Sequence, residues 1–223
     1  MLCAVAGMQN ATAATSENGG WATFILTGPV GTTEKKSRWY WWLDGQYRYL
    51  DTDSNPRQAV IRPAIGFAAN DTLKLWAGYA YLQLRISNVG TADEHRLYQD
   101  AIWRLKAGSN STVMLRSRIE ERWIERFSDV GWRFRQLAML QRPFNFNSKF
   151  SAILSEELLI SLNDTDWGER SGFDQNRLFI GIGYQLNPIA SLQVGYQNQY
   201  IDNVRGSDLM NNLAMLGVNF NFK

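Results

Sequence analysis

The sequence has little of the chemistry that disulfides, metal centres and nucleic-acid binding require. Among 223 residues there is one cysteine, Cys3, and one histidine, His95. A single cysteine excludes both an intramolecular disulfide and a cysteine-based zinc site. The 23 basic and 21 acidic residues nearly balance, whereas a polyanion-binding protein normally carries a large basic excess. We therefore expect no metal, no cofactor and no nucleic-acid partner.

Long apolar runs are also missing. Arg, Gln, Asn, Asp or Glu interrupts every apolar stretch before it reaches the roughly 18 residues that a membrane-spanning helix needs. Apolar residues make up 45% of the chain, charged residues 20%, and the mean hydropathy is -0.31. These proportions exclude intrinsic disorder. By composition alone, the chain resembles an ordinary soluble protein.

The first residues resemble the remnant of a secretory signal. Residues 2–7 are apolar and small, and residues 11–14 supply small side chains at the alternate positions that a signal peptidase needs. No Lys or Arg precedes the apolar part, which is also short. We expect residues 1–14 to be the remnant of a signal peptide, with a cytoplasmic protein as the alternative. A lipoprotein interpretation of Cys3 is weaker.

From Trp39 onward, apolar and polar residues alternate in segment after segment. This is the side-chain period of a β-strand with two chemically different faces. In the last segment, for example, Leu216, Val218 and Phe220 share one face, while Asn219 and Asn221 share the other. Helical spacing is nowhere convincing. The pattern predicts an all-β protein.

Turn signals divide these segments in an alternating short and long rhythm. The short connections fall around residues 69–72, 108–111, 145–148 and 187–189, and the longer ones around 51–56, 87–94, 127–130, 163–173 and 203–211. Short periplasmic turns and longer extracellular loops are typical of an outer-membrane barrel. We predict an antiparallel, up-and-down transmembrane β-barrel.

The barrel occupies residues 37–222 in this prediction and has about ten strands. The predicted strands are 37–51, 57–69, 73–86, 95–107, 111–126, 130–144, 148–163, 173–187, 190–204 and 211–222. An even number returns the C-terminus to the periplasm, as expected for a bacterial barrel. Residues 21–26 alternate weakly, but counting them would make the number odd. Residues 15–36 are therefore assigned to an N-terminal periplasmic segment or lumen plug, with a twelve-stranded barrel as the alternative.

A soluble β-sandwich also has alternating strands, but two features favour the membrane barrel. The segments exceed the five or six residues usual for a strand and match the roughly 9 to 11 that cross a bilayer. Aromatic residues also concentrate toward the segment ends, where they would form interfacial girdles. Pro63 predicts a bulge or bend in its strand. Glu121 and Glu156 fall on the lipid-facing side unless a bulge shifts the register.

Several stretches resemble a known family. They include RWYWWLDGQYRY at residues 38–49 and, most specifically, LNDTDWG at 162–168 with GFDQNR at 172–177. Together they resemble the domain-of-unknown-function family numbered 2490, an uncharacterised family of Gram-negative outer-membrane barrels. The resemblance implies fold and location but lends no reaction.

The expected partners follow from an outer-membrane location. They are the lipid bilayer, lipopolysaccharide and, during insertion, the barrel assembly machinery, with the protein itself a monomer. The last strand looks like the recognition signal of this assembly, because Leu216, Val218, Phe220 and Phe222 alternate. Lys223 departs from the aromatic residue that usually ends such chains.

Charged residues occupy many of the predicted inward positions. The lumen set comprises Asp44, Arg48, Arg62, Asp100, Arg116, Arg118, Glu120, Arg122, Arg133, Arg135, Glu157 and Arg177. Neighbours across strands stand about 5 Å apart, so these groups should pair. We expect a space-filling salt-bridge network, since a barrel of about ten strands is little wider than one that side chains fill. A narrow anion path and an enzyme site are the alternatives.

His95 is a weak candidate for catalysis. It lies near Ser87, Asp93, Glu94 and Asp100 in sequence, and a carboxylate-oriented histidine at the extracellular rim could activate a serine or water against lipid or peptide. A lone histidine in a polar loop is more often solvated, and no nucleophile motif accompanies it. Similarly, residues 163–169 supply oxygen ligands for Ca²⁺, but without EF-hand spacing. The sequence therefore predicts an outer-membrane barrel with a structural or narrowly permeating role, and a rim enzyme as the alternative.

Overall fold

The described residues form a closed barrel of eleven strands. The computed structural model describes residues 14–31, 37–51, 58–86, 90–108, 110–203 and 206–222. The strands are β1 (Thr15–Pro29), β2 (Trp39–Leu50), β3 (Gln58–Ala68), β4 (Leu73–Ile86), β5 (Gly90–Ala107), β6 (Ser111–Ile124), β7 (Gly131–Phe144), β8 (Asn147–Ser161), β9 (Gly172–Gln185), β10 (Ala190–Ile201) and β11 (Leu209–Asn221). Each strand pairs with its sequence neighbours, and β1 closes the ring against β11. Within the described ranges, no helix is long and apolar enough to span a membrane.

Alternation places polar side chains inside the barrel and apolar side chains outside. Along β10, Val194 and Tyr196 are exposed on the outer face, while Gln197 and Gln199 are buried inside. Because successive side chains of a strand point to opposite faces, the two-residue period of the sequence becomes the two surfaces of the barrel. The all-β barrel predicted from that period is confirmed.

All ten predicted strands are present, but the predicted number is wrong. Residues 15–29, assigned to a periplasmic segment or plug, form β1 instead. This strand is antiparallel to β2, with Ala22 opposite Tyr47, and parallel to β11, with Ala22 opposite Leu216. Eleven strands make ten successive reversals, which leave the first and last strands running in the same direction, so the closing pair must be parallel. The twelve-strand alternative is wrong as well.

β1 escaped the pattern for two reasons. Its inner face mixes Trp21 and Ile25 with two threonines, so its two faces differ less in polarity than those of the other strands. Gly19 and Gly20 also lie in the strand, and glycine is depleted in strands because it has no side chain to pack. The expectation of an even number of strands also argues against counting this segment as a strand. Residues 1–13, which hold most of the predicted signal remnant, lie outside the described residues.

The predicted irregularities lie elsewhere. At Pro63 the pairing of β3 with β4 is interrupted, but Ile61 opposite Tyr81 and Ala64 opposite Gly78 keep one register, so the predicted bulge is absent. Register shifts occur instead at Pro143/Phe144 and at Leu159/Ile160. Neither shift rescues the outward carboxylates. Glu156 stays on the outer face, where its Oε1 accepts a hydrogen bond of 2.9 Å from Asn176 Nδ2.

The two ends of the barrel differ in the length of their connections. The connections 69–72, 108–110, 145–146 and 186–189 lie at one end, which we call the short-turn end. The connections 125–130, 162–171 and 202–208 lie at the other, the long-loop end. The connection between β1 and β2 departs from this rhythm, because Pro29 pairs with Tyr40 at the short-turn end. The long-loop end therefore carries most of the irregular chain that can shape a site.

The parallel closure can be tested by cross-linking. In a Cys3→Ser background, Ala22→Cys combined with Leu216→Cys places two thiols on the outer face of directly opposed residues. Such positions have the Cα separation that a disulfide needs, so mild oxidation should join them. Ala22→Cys with Gly217→Cys is the matched control, because these side chains point to opposite faces. Equal cross-linking of both pairs, or of neither, would contradict the seam.

Candidate functional site: the charged barrel interior

The inner face holds a continuous network of arginines and carboxylates. The twelve residues of the predicted lumen set all lie on this face, and all except Arg48 make an ion pair with another described residue. The strands supply these side chains at alternate positions, so that Arg116, Arg118, Glu120 and Arg122 line up along β6. Register then places β7 beside them, with Arg118 opposite Arg135 and Glu120 opposite Arg133.

Glu120 is the carboxylate on which four arginines of the network converge. Its carboxylate is 2.8 Å from Arg133 Nη2 and 2.8 Å from Arg135 Nη1, and it lies 3.4 Å from Arg118 Nη1 and 3.6 Å from Arg96 Nη1. The side chain is 1% exposed. A buried carboxylate is tolerated only when its charge and lone pairs are met. Four guanidinium groups from three strands meet that requirement here.

Two further carboxylates hold the sides of the network. Glu157 accepts hydrogen bonds from Arg135 Nη2 at 2.7 Å and from Arg116, and lies 3.4 Å from Arg177 Nη1. Asp100 pairs with Arg118 through both carboxylate oxygens, at 2.6 and 2.7 Å. This two-pronged geometry is the strong form of an arginine–carboxylate contact. The Arg118 guanidinium also lies 4.0 Å from the centroid of the Tyr98 ring.

Asp44 and Arg62 form a separate pair on β2 and β3. Arg62 Nη2 lies 2.8 Å from Asp44 Oδ1, and Arg62 Nε lies 3.0 Å from both oxygens. Trp42 Nε1 donates a further bond of 2.8 Å to the same carboxylate. The pair is satisfied on its own, without the larger network.

The interior is filled rather than open at the level of the network. Glu94, Glu120, Arg118, Arg133 and Arg135 are at most 4% exposed. Side chains that are so deeply buried pack against one another and do not line a water-filled pore. The chemistry of this arrangement is therefore mutual charge compensation, which holds five neighbouring strands, β5 to β9, in register.

A pocket of about 280 Å³ opens at the long-loop end, above the network. Its walls include Arg122, Arg133, Ser161, Trp167 and Glu169. Arg122, Ser161 and Trp167 all donate hydrogen bonds to the Glu169 carboxylate. Burial by itself raises the pKa of Glu169, but the positive charges of Arg122 and Arg133 outweigh it and lower that pKa below its ordinary value. The carboxylate therefore stays charged and ties the loop 162–171 to the barrel.

Sequence reasoning missed several members of the site. Glu94 pairs with Arg96 at 2.7 Å and with Arg122 at 2.6 Å. Its parity matches that of Arg96 and Asp100, but the predicted strand began one residue too late to include it. Asp174, which lies 3.1 Å from Arg133 Nη1, sits beside the register shift of β8 and β9. No pattern in the sequence marks that shift.

Of the groups predicted to activate His95, Glu94 and Asp100 lie on the opposite face of β5, while Asp93 shares its face. His95 lies on the outer face of β5, where its Nδ1 forms a hydrogen bond with the Tyr79 hydroxyl. Glu94 and Asp100 have the opposite parity and point into the lumen, so neither orients the imidazole. Ser87 lies outside the described residues.

The polar side chains of the β8–β9 loop accept hydrogen bonds from backbone amides of the same loop and of the chain around the β6–β7 loop. Asp164 Oδ1 accepts from Ser171 N at 2.8 Å, Asp166 Oδ2 from Ser128 N at 2.8 Å, and Asn163 Oδ1 from Trp132 N at 2.7 Å. These contacts join the loops 125–130 and 162–171. No cluster of three potential metal ligands is present among the described residues.

Comparisons with known proteins agree with the sequence resemblance. A family model described as a protein of unknown function (DUF2490) matches residues 18–211. An uncharacterised protein of Methylorubrum extorquens is 34% identical over 200 residues, which cover 89% of this chain and 85% of the relative. No solved structure matches the chain. None of these findings names a reaction.

The central role of Glu120 predicts a large loss of stability when its charge is removed. Glu120→Gln leaves buried arginines uncompensated and should lower the free energy of unfolding by roughly 3–5 kcal/mol, as expected for a broken buried ion pair. Glu156→Gln is the matched control, because that carboxylate is on the outer face with one hydrogen bond to an asparagine. Its effect should stay within about 1 kcal/mol. Urea unfolding followed by circular dichroism measures both, and equal losses would contradict the network.

Proposed function

The chain belongs to a family of proteins of unknown function (DUF2490), and we propose that it is an outer-membrane β-barrel whose charge-packed interior closes the lumen. The role that fits this geometry is structural, with any permeation restricted to a narrow path. One observation carries the proposal. The barrel buries its charges and exposes its large apolar side chains, which is the reverse of a soluble protein.

The outer face supplies the first support. Ile180, Val194 and Leu216 lie on neighbouring strands and are 61%, 58% and 53% exposed. A contiguous apolar surface of this kind is rare on a soluble monomer. It is the lipid-facing band that a transmembrane barrel presents to the bilayer.

Aromatic side chains at both ends of the barrel give the second support. At the short-turn end, the ring centroids of Trp39 and Phe67 are 5.0 Å apart. Other close pairs at this end are Trp41 with Phe222 and Phe150 with Tyr184. At the long-loop end, Phe173 contacts Tyr200, and Tyr81 contacts His95. These two groups of aromatic side chains, one at each end of the barrel, match the aromatic girdles that lie at the two membrane interfaces. His95 is then a girdle residue beside tyrosines.

The proposed partners follow from this location. The bilayer covers the apolar face, and lipopolysaccharide surrounds the long-loop end. The barrel assembly machinery recognises β11 through its outward Leu216, Val218 and Phe220, and the protein works as a monomer. On the outer face, the Ser117 hydroxyl donates a hydrogen bond of 2.6 Å to Gln136 Oε1.

Fractionation and conductance test the proposal together. The protein should be recovered with the outer membrane and should migrate faster on a gel before boiling than after, because a closed barrel resists detergent until it is heated. In planar bilayers the purified barrel should give no large stepwise conductance, because its interior is packed. Recovery in the soluble periplasm would contradict the location. Large, regular conductance steps from correctly located protein would contradict the closed lumen.

A further inference from the structure

Arg48 is the arginine of the predicted lumen set that has no carboxylate partner among the described residues. Among the described residues, Arg48 makes no ion pair, in contrast to the eight other arginines in and beside the predicted set, which are Arg62, Arg96, Arg116, Arg118, Arg122, Arg133, Arg135 and Arg177. Its Nη1 donates to the neutral amide oxygen Gln199 Oε1 at 2.8 Å. An arginine cannot discard its proton inside a protein, so its positive charge must be balanced by something else.

A second arginine adds positive charge beside it. The guanidinium carbons of Arg48 and Arg177 both lie 5.3 Å from the centroid of the Trp21 ring. Arg177 reaches Glu157 only at 3.4 Å, and that carboxylate already serves Arg116 and Arg135. The interior around Trp21 thus holds more positive charge than the described carboxylates compensate.

The same region holds hydrogen-bond donors without acceptors. Four buried nitrogens have no hydrogen-bond partner in the part of the chain that the structure describes: Trp21 Nε1, Arg48 Nε, Arg177 Nε and Gln197 Nε2. The neighbouring buried atom in the opposite situation is a single acceptor, Asn211 Oδ1. Nearly all buried polar groups of native proteins are satisfied. Because four donors but only one acceptor lack partners in this region, we expect the missing partner to be a ligand that only accepts hydrogen bonds.

The strands bring these groups together. Arg48 is opposite Trp21 across β1 and β2, and Gln199 is opposite Arg177 across β9 and β10. Gln197 lines a neighbouring cavity of about 140 Å³, together with Thr23, Gln193 and Gly217. Space for a small guest therefore exists beside Gln197, one of the four donors, and the other three lie outside the lining of this cavity.

We infer that the lumen binds a small inorganic anion of the size of chloride, held by Arg48 and Arg177 next to Trp21. An anion supplies several acceptor directions at one point and cancels the excess positive charge. A water molecule would satisfy some of the donors but would leave the charge uncompensated, and an unpaired charge costs more than an unpaired dipole even where, as at Arg48 and Arg177, the side chain is only partly buried.

The stability of the protein should then depend on the anion and not only on ionic strength. The full chain is unfolded by heat in sodium chloride or sodium gluconate at equal sodium concentration. Chloride should raise the midpoint by roughly 3–5 °C for each tenfold increase above its dissociation constant, whereas bulky gluconate should not. Arg48→Gln removes the charge and should abolish the difference between the two salts.

Arg62→Gln is the control variant, because Arg62 has its own carboxylate in Asp44. It should lower the midpoint in both salts while keeping the chloride-specific increment. A wild-type midpoint that is equal in the two salts would overturn the inference, as would a chloride increment that survives in Arg48→Gln.

Diffraction from bromide-soaked crystals of the wild-type chain needs no variant that folds. It should give an anomalous peak within hydrogen-bond distance of Arg48 and Arg177. Bromide found only at the surface would overturn the inference even if Arg48→Gln failed to fold.

Discussion

The pairing of arginines with Glu120 and Glu157 is the interaction on which the rest of the barrel depends. These carboxylates collect guanidinium groups from β5, β6, β7 and β9, so each one fixes several strands at the same time. Breaking such a pair leaves a buried charge, and the cost of that charge makes the register of the strands hard to change. Between β5 and β9 the interior is therefore packed with paired charges.

Filling the interior with charge determines what the outside must be. Each strand has only two faces, and most of the charged residues lie on the inner one, so the large apolar residues lie mainly on the outer one. The two populations cancel in the average, which is why a mean hydropathy of -0.31 resembles that of a soluble protein. The same alternation of polar and apolar residues therefore accounts for the charged interior and supports the proposal of a membrane barrel.

Much of this could be predicted from the sequence, for physical reasons. A period of two marks each strand and assigns its faces, so the sequence alone places Arg116, Arg118 and Glu120 on the inner face. β1 could not be recognised from the sequence, because its two faces have similar polarity and because it contains Gly19 and Gly20. The inward position of Asp174 could not be predicted, because it depends on a register shift between β8 and β9 that no residue pattern encodes. Pairing partners such as Arg122 and Glu169 depend on how a loop folds back over the mouth, which is a tertiary property.

A scan of single cysteines along β6, from residue 113 to residue 122, tests the central claim most directly. In purified protein reconstituted into lipid vesicles, each thiol would carry a small label whose fluorescence is quenched by brominated lipid. The account predicts quenching at the odd positions, such as Leu115 and Ile119, and protection from both lipid and aqueous quenchers at the even ones. Aqueous access to the even positions, or no lipid quenching at the odd positions, would contradict a charge-filled barrel with a lipid-facing surface.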